Sequence, residues 1–102
     1  MTNFIVIGEL QVKSSDEKNL LTWYEAMKGF SDGWRLPTKE ELNLLCQQKD
    51  VVGGFANNYY WSSSEGISDD AWSQNFSSGY QYSSGSKGLT LPVRAVRDCK
   101  KK

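Results

Sequence analysis

The sequence predicts an α+β domain, and three observations carry that prediction. A β-rich run opens the chain, and two helix-start signatures follow between residues 22 and 46. From residue 59 onward, short aromatic and β-branched runs alternate with turn-forming Ser, Gly, Asn and Asp. The chain has 102 residues, which is one domain, residues 1–99, with a basic tail of Lys100, Lys101 and Lys102 read as a solvated end.

Residues 4–12 are rich in Ile, Val and Leu and read as a first strand, broken or bulged near Gly8. The polar residues 14–19 read as a turn. Trp23, Ala26, Met27 and Phe30 then fall at i, i+3, i+4 and i+7, one face of an amphipathic helix over residues 22–30. Thr22 and Glu25 form the two ends of a capping box, and Gly29 with Ser31, Asp32 and Gly33 stops the helix. Pro37 favours an extended Leu36, after which Thr38 caps a second helix with Glu41 at the reciprocal position. Leu42, Leu45 and Cys46 share its inner face. The neighbouring carboxylates Glu40 and Glu41 could suggest acid–base chemistry, but carboxylates at a helix start are explained by capping and the helix dipole.

Residues 49–58 read as a loop around Gly53-Gly54 and Asn57-Asn58. Beyond it come short strands at 59–62, 71–76, 79–82 and 90–97. Residues 62–86 are so rich in Ser and Gly that a linker would be the ordinary reading, yet linkers lack aromatics, and Trp72, Phe76, Tyr80 and Tyr82 lie inside. The segment reads as ordered loop with little regular structure.

Composition removes several functions. Twelve basic and twelve acidic residues give a formal net charge of zero, without the electrostatic footprint of a nucleic-acid binder. There is no histidine, so Ser-His, Cys-His and His-metal chemistries are excluded together. Cys46 and Cys99 form no metal-ligand cluster, and whether they pair is left open by their spacing. The first twelve residues have neither the basic region nor the apolar length of a signal peptide or membrane span. Neither catalytic residues, a metal nor a cofactor is expected. Four Trp, five Tyr and four Phe instead predict an aromatic-rich core.

GWRLPTKEEL following a Trp-bearing helix, then YYWSSSE, AW, F-x-x-G and a closing VRAVR, in that order, resemble the Lcl C-terminal domain family. This is a bacterial and phage domain of largely unknown function with a C-type-lectin-like fold, related to that of formylglycine-generating enzymes. The resemblance covers about residues 8–97. It implies two helices, a small twisted antiparallel sheet, paired N- and C-terminal strands and long irregular loops. Trp34, Leu36, Pro37, Trp61 and Trp72 match framework positions of the family. Phe76, Arg94 and Arg97 join them as framework here, one arginine being buried and bonded to loop carbonyls. Neither cysteine matches the catalytic position of the enzyme relatives. The Glu-Pro-Asn, Gln-Pro-Asp and Trp-Asn-Asp calcium signatures of true C-type lectins are absent, although Glu65, Asp69 and Asp70 could offer oxygen ligands.

Some proteins similar to this family are targets of diversity-generating retroelements, which mutate adenines in Asn codons. Such codons cannot yield Lys, Glu, Gln, Met or Trp. Residues 66–70, 73, 77, 78, 80, 82–86 and 88–92 hold none of these, while Trp72, Gln74, Phe76, Gly79, Gln81 and Lys87 stand between them. Trp61, Trp72, Phe76, Val93 and Val96 are expected to face inward, and Asp69, Asp70, Ser73, Tyr80 and Tyr82 outward. The expected ligand-binding set is Ser68, Asp69, Asp70, Ser73, Ser77, Ser78, Tyr80, Tyr82, Ser84, Leu89 and Leu91. Tyrosines with Ser, Gly and Asp between them are the composition of antibody paratopes, large contact area at low entropic cost. The expected function is thus a recognition module presenting a variable surface at residues 66–92 to a protein or glycan ligand on another cell or virion, with no nucleic acid and no membrane insertion. The alternative is a metal-independent glycan-binding adhesin of fixed specificity.

Overall fold

The computed structural model describes residues 4–99; the basic tail at 100–102 lies outside the described residues. The α+β class holds, built as two three-stranded antiparallel sheets with three short α-helices.

The opening run is a hairpin rather than one strand. β1 (Phe4–Ile7) and β2 (Leu10–Lys13) pair antiparallel, Phe4 opposite Lys13 and Ile7 opposite Leu10. Gly8 makes the reversal with φ of 59°, backbone that glycine adopts without steric cost. β2 also pairs antiparallel with β6 (Val96–Asp98), Val12 lying opposite Val96. The C-terminal strand is therefore paired with the second arm of the N-terminal hairpin, and β1 lies at the opposite edge of the sheet.

α1 (Trp23–Met27) carries the expected capping box, Thr22 accepting from the Glu25 amide and Glu25 from the Thr22 amide. It is shorter than its stripe suggested: Trp23 and Ala26 are buried, Met27 is exposed, and Phe30 lies past the helix in extended backbone. Gly29, at φ 77°, interrupts it. A 3-10 turn follows at Ser31–Gly33. α2 (Lys39–Gln47) has the second box, closed by Thr38 and Glu41, and buries Leu42 and Leu45 with Cys46 half-buried beside them. A third helix, α3 (Lys49–Val52), replaces the first part of the loop read over 49–58. Its single turn buries Val52 in the core and ends at Gly53.

The Ser-rich stretch is mostly regular sheet. β3 (Tyr59–Glu65), β4 (Asp70–Asn75) and β5 (Gln81–Ser86) pair in that order. The reading of irregular loop fails because the serines are placed by partners far away in sequence. Ser62 is fully buried and donates to the Trp72 carbonyl at 2.9 Å, the Ser63 amide donates to the Pro37 carbonyl at 2.8 Å, and the Lys39 amide donates to Ser64 Oγ at 3.0 Å. The closing strand is also shorter than residues 90–97. Leu91 bridges to Leu21, the Glu17 amide donates to the Val93 carbonyl and the Lys13 amide to the Ala95 carbonyl, so residues 91–95 run beside 13–21 before β6 begins.

Adjacent residues of a strand face opposite sides, and Tyr60 and Trp61 show it. Tyr60 packs with Leu10, Val12, Leu42, Leu45, Val52, Phe76 and Val96; Trp61 packs with Trp23, Ala26, Leu36, Ala71 and Val93. The second sheet thus has a core on each face, each fully buried large apolar side chain contributing about 1.5–3 kcal/mol. Cys46 and Cys99 are free thiols. Among the described residues no helix is long and apolar enough to cross a membrane.

Candidate functional site

The site grows from an irregularity in β5. Ala71 pairs with Gly85 and Ser73 with Tyr82, so two steps along β4 are matched by three along β5. The extra residue is a β-bulge, which carries Ser83 and Ser84 outward and brings the Gly85 backbone down onto the sheet. A side chain at Gly85 would lie 3.0 Å from the Ala71 carbonyl and 3.2 Å from the Trp61 ring. Tyr59, Ser73, Tyr82 and Gly85 then share one face, and Leu89 and Leu91 of the following segment wall it off. Together they enclose an open cleft of about 230 Å³.

The rim is aromatic and exposed. The Tyr59 and Tyr82 rings meet edge-on with centroids 6.3 Å apart, and the Tyr80 ring lies 6.3 Å from that of Tyr82. Tyr80 is 60% exposed and Leu89 57%. Tyr80 is set by the β4–β5 turn, in which Asn75 Oδ1 accepts from the Ser77 and Ser78 amides and Ser78 Oγ accepts from the Tyr80 amide. At the other end, Lys87 is buried to 5% exposure. Its ammonium bonds Glu65 at 2.9 Å and the Ser68 carbonyl at 3.3 Å, and sits 4.3 Å over the Trp23 ring. That clamp fixes the β3–β4 turn.

The expected ligand set is not one patch. Ser73, Tyr82, Leu89 and Leu91 converge on the cleft, with Tyr80 at its rim. Ser68, Asp69 and Asp70 lie at the β3–β4 turn, Ser77 and Ser78 at the β4–β5 turn, and Ser84 on the bulge. The six residues of β4 separate the two turns, roughly 20 Å at the rise of a strand. Ser73, expected outward, is 3% exposed and forms the cleft floor, because β3 and β5 flank it and the 89–91 segment covers it. Trp72, expected inward, is half-buried with the Lys39 ammonium 3.9 Å over its ring, since its strand face meets the start of α2 rather than the core. Tyr59 was missed, and Gly85, counted among the changeable positions, is instead part of the buried floor, where a side chain would press on the Ala71 carbonyl. Tyr59 lies two residues before Trp61 on the same strand face, a spacing that could have marked it; the position of Gly85 depends on the bulge, which no local pattern announces.

The framework is held mainly by Arg94, which is fully buried. Its Nε donates to Asp16 at 2.9 Å, Nη1 donates to the Lys13 and Gly53 carbonyls, and its plane lies 4.0 Å over the Phe55 ring. Nη2 is buried without a partner among the described residues. Asp16 also accepts from the Tyr60 hydroxyl at 2.7 Å; burial first, then this carboxylate, pushes the Tyr60 phenol well above its ordinary range. Arg97 stacks 4.3 Å from the Trp34 ring and bonds Gln11 and the Asp32 carbonyl. Leu36 and Pro37 are buried. Burial raises the Cys46 thiol, which leaves it protonated at neutral pH.

The sequence pattern of the Lcl C-terminal domain family matches residues 10–97, from the start of β2 into β6, and the chain belongs to that family. No curated protein matches it.

Proposed function

We propose that this domain is a recognition module, and that its binding surface is the face formed by the β5 bulge, the two flanking turns and the 88–91 segment. The observation that carries this reading is an open, tyrosine-rimmed cleft mounted on a sheet with packed cores on both faces. Tyr80, Tyr82 and Leu89 are exposed, belong to neither core cluster and group around one cleft, and it is this grouping, not exposure alone, that supports a contact surface. The residues between them that the retroelement argument treats as fixed include Gln74, Phe76 and Lys87, and these are buried. Of the changeable positions, Ser73, Gly85 and Pro92 are buried, and a side chain at Gly85 would meet the Ala71 carbonyl, whereas 77, 78, 80, 82–84, 86 and 88–90 are exposed and would carry a diversified display surface on a cell or virion.

Two measurements test the reading. Arrays of purified bacterial surface proteins and of glycans, probed with the domain and with Tyr80→Ala/Tyr82→Ala, should show binding by the first that the double variant loses, with both melting alike. Equal binding by the two proteins would refute the placement, and an absence of binding by either would refute recognition. For diversification, the source DNA should hold a near-identical copy of the segment encoding residues 59–97, with adenine-bearing Asn codons at the changeable positions, beside a reverse transcriptase. Without that copy the surface is of fixed specificity.

A further inference from the structure

The cleft has a chemistry of its own that selects among ligands, granted the recognition reading above. Its walls are Tyr59, Tyr82, Leu89 and Leu91, its floor is Ser73 and the Gly85 backbone, and no charged residue lines it. A sugar brings a hydroxyl on nearly every carbon, and each needs a partner once water is displaced; burying one unpaired costs more than stacking on a tyrosine returns. An aliphatic or aromatic side chain asks for none. The cleft, about 230 Å³, is smaller than the roughly 300–1,000 Å³ of pockets that hold a drug-sized molecule. It suits a single anchoring residue.

Charge supplies the second half of the argument. The Lys87 amide donates to the Asp69 carbonyl at 2.9 Å, which brings the β3–β4 turn alongside the segment leading to Leu89. Asp69 is exposed and Asp70 half-buried, and neither has an ion-pair partner among the described residues. Lys87 is the one cation in residues 66–92, and its ammonium is taken by Glu65. Asp70 lies on the opposite face of β4 from Ser73, so the carboxylate on the turn alongside the segment that leads to this uncharged apolar slot is the exposed Asp69. We infer that the ligand is a protein surface that inserts one bulky apolar side chain, Leu- or Phe-sized, into this cleft and sets a basic residue against Asp69.

The test uses the full chain labelled with 15N and three blocked tripeptides, acetyl-Arg-Leu-Arg-amide, acetyl-Arg-Ala-Arg-amide and acetyl-Glu-Leu-Glu-amide, with cellobiose as the sugar probe. The Arg-Leu-Arg peptide should shift the Ser73, Gly85 and Leu91 amide signals. The Arg-Ala-Arg peptide should bind roughly tenfold more weakly or worse, from the apolar area lost. The Glu-Leu-Glu peptide should be weaker too, by a margin that closes as salt is added. Leu89→Ser, at an exposed position, should weaken the Leu peptide with an unchanged melting temperature, and Ser73→Val should do so by filling the floor. Equal binding of the Leu and Ala peptides, no shift with any peptide, or cellobiose shifting the same amides would each overturn the inference. Array binding that still depends on Tyr80 and Tyr82 would, in those cases, leave the recognition reading standing.

Discussion

Arg94 and Tyr60 show how much of this fold rests on single residues. Arg94 ties residues 13–16, Gly53 and the segment before β6 into one knot around Asp16. Removing it strands a carboxylate and two carbonyls and opens a void under Phe55. Arg94→Ala should therefore lower stability by about 3 kcal/mol, read by urea denaturation. Arg94→Lys should recover little of it, because an ammonium cannot reproduce the fork that reaches Asp16 and the carbonyls together. Tyr60 predicts a pH dependence. Its folded phenol holds its proton more tightly than the unfolded one, burial being the larger cause and Asp16 the next. Its contribution is complete below the ordinary tyrosine range, about pH 10, and is lost as pH rises beyond it. Tyr60→Phe should flatten that alkaline fall. At neutral pH it should also cost about 1–3 kcal/mol, since Asp16 Oδ2 and the Ala56 amide both lose a partner.

Among the elements, α2 is the one most fully set by its own sequence. Thr38 and Glu41 close its first turn, and Glu41 in turn accepts two bonds from Arg35, at 2.8 and 3.0 Å, with Arg35 reaching on to Asp98 of the last strand. Burial alone would raise the Glu41 carboxyl; the Arg35 and Thr38 bonds outweigh it and hold the group below its ordinary value. Thr38→Ala should cost about 1 kcal/mol by thermal melting. Glu41→Gln should remove part of the stability loss seen as pH falls through the carboxylate range, because a depressed carboxyl stabilises above its unfolded pKa and ceases to when protonated. Both helix starts were legible because Thr22-Glu25 and Thr38-Glu41 are signals complete within four residues. The second sheet was only partly legible. Its aromatics marked where strands begin, but Ser62, Ser63 and Ser64 are ordered by Trp72, Pro37 and Lys39, none of which a local window contains. The candidate site followed suit: Ser73, Tyr82, Leu89 and Leu91 were named from the codon pattern that the family resemblance implies, whereas the role of Ser73 and Gly85 as a shared floor exists only once the β5 register is known.

Across the whole molecule, the ends of the chain hold each other. The Leu21–Leu91 bridge, the bonds from Glu17 and Lys13 to Val93 and Ala95, and the β2–β6 pairing join the first twenty described residues to the last ten. Val12 and Val96 are buried in the same core as Tyr60 of the second sheet and Phe76 just past β4. Tryptophan fluorescence and far-ultraviolet circular dichroism should accordingly report one coincident urea transition. The strand directions carry a mechanical consequence. β1 and β6 both run antiparallel to β2, and so parallel to one another. Tension applied at Phe4 and Asp98 therefore pulls along the strand axes in opposite senses, across hydrogen bonds that lie perpendicular to them. The ladder is loaded in shear, all bonds sharing the force. Traction between Phe4 and Lys13, which face each other at one end of the hairpin, would instead unzip it bond by bond. In single-molecule force spectroscopy the first attachment should rupture at distinctly higher force than the second.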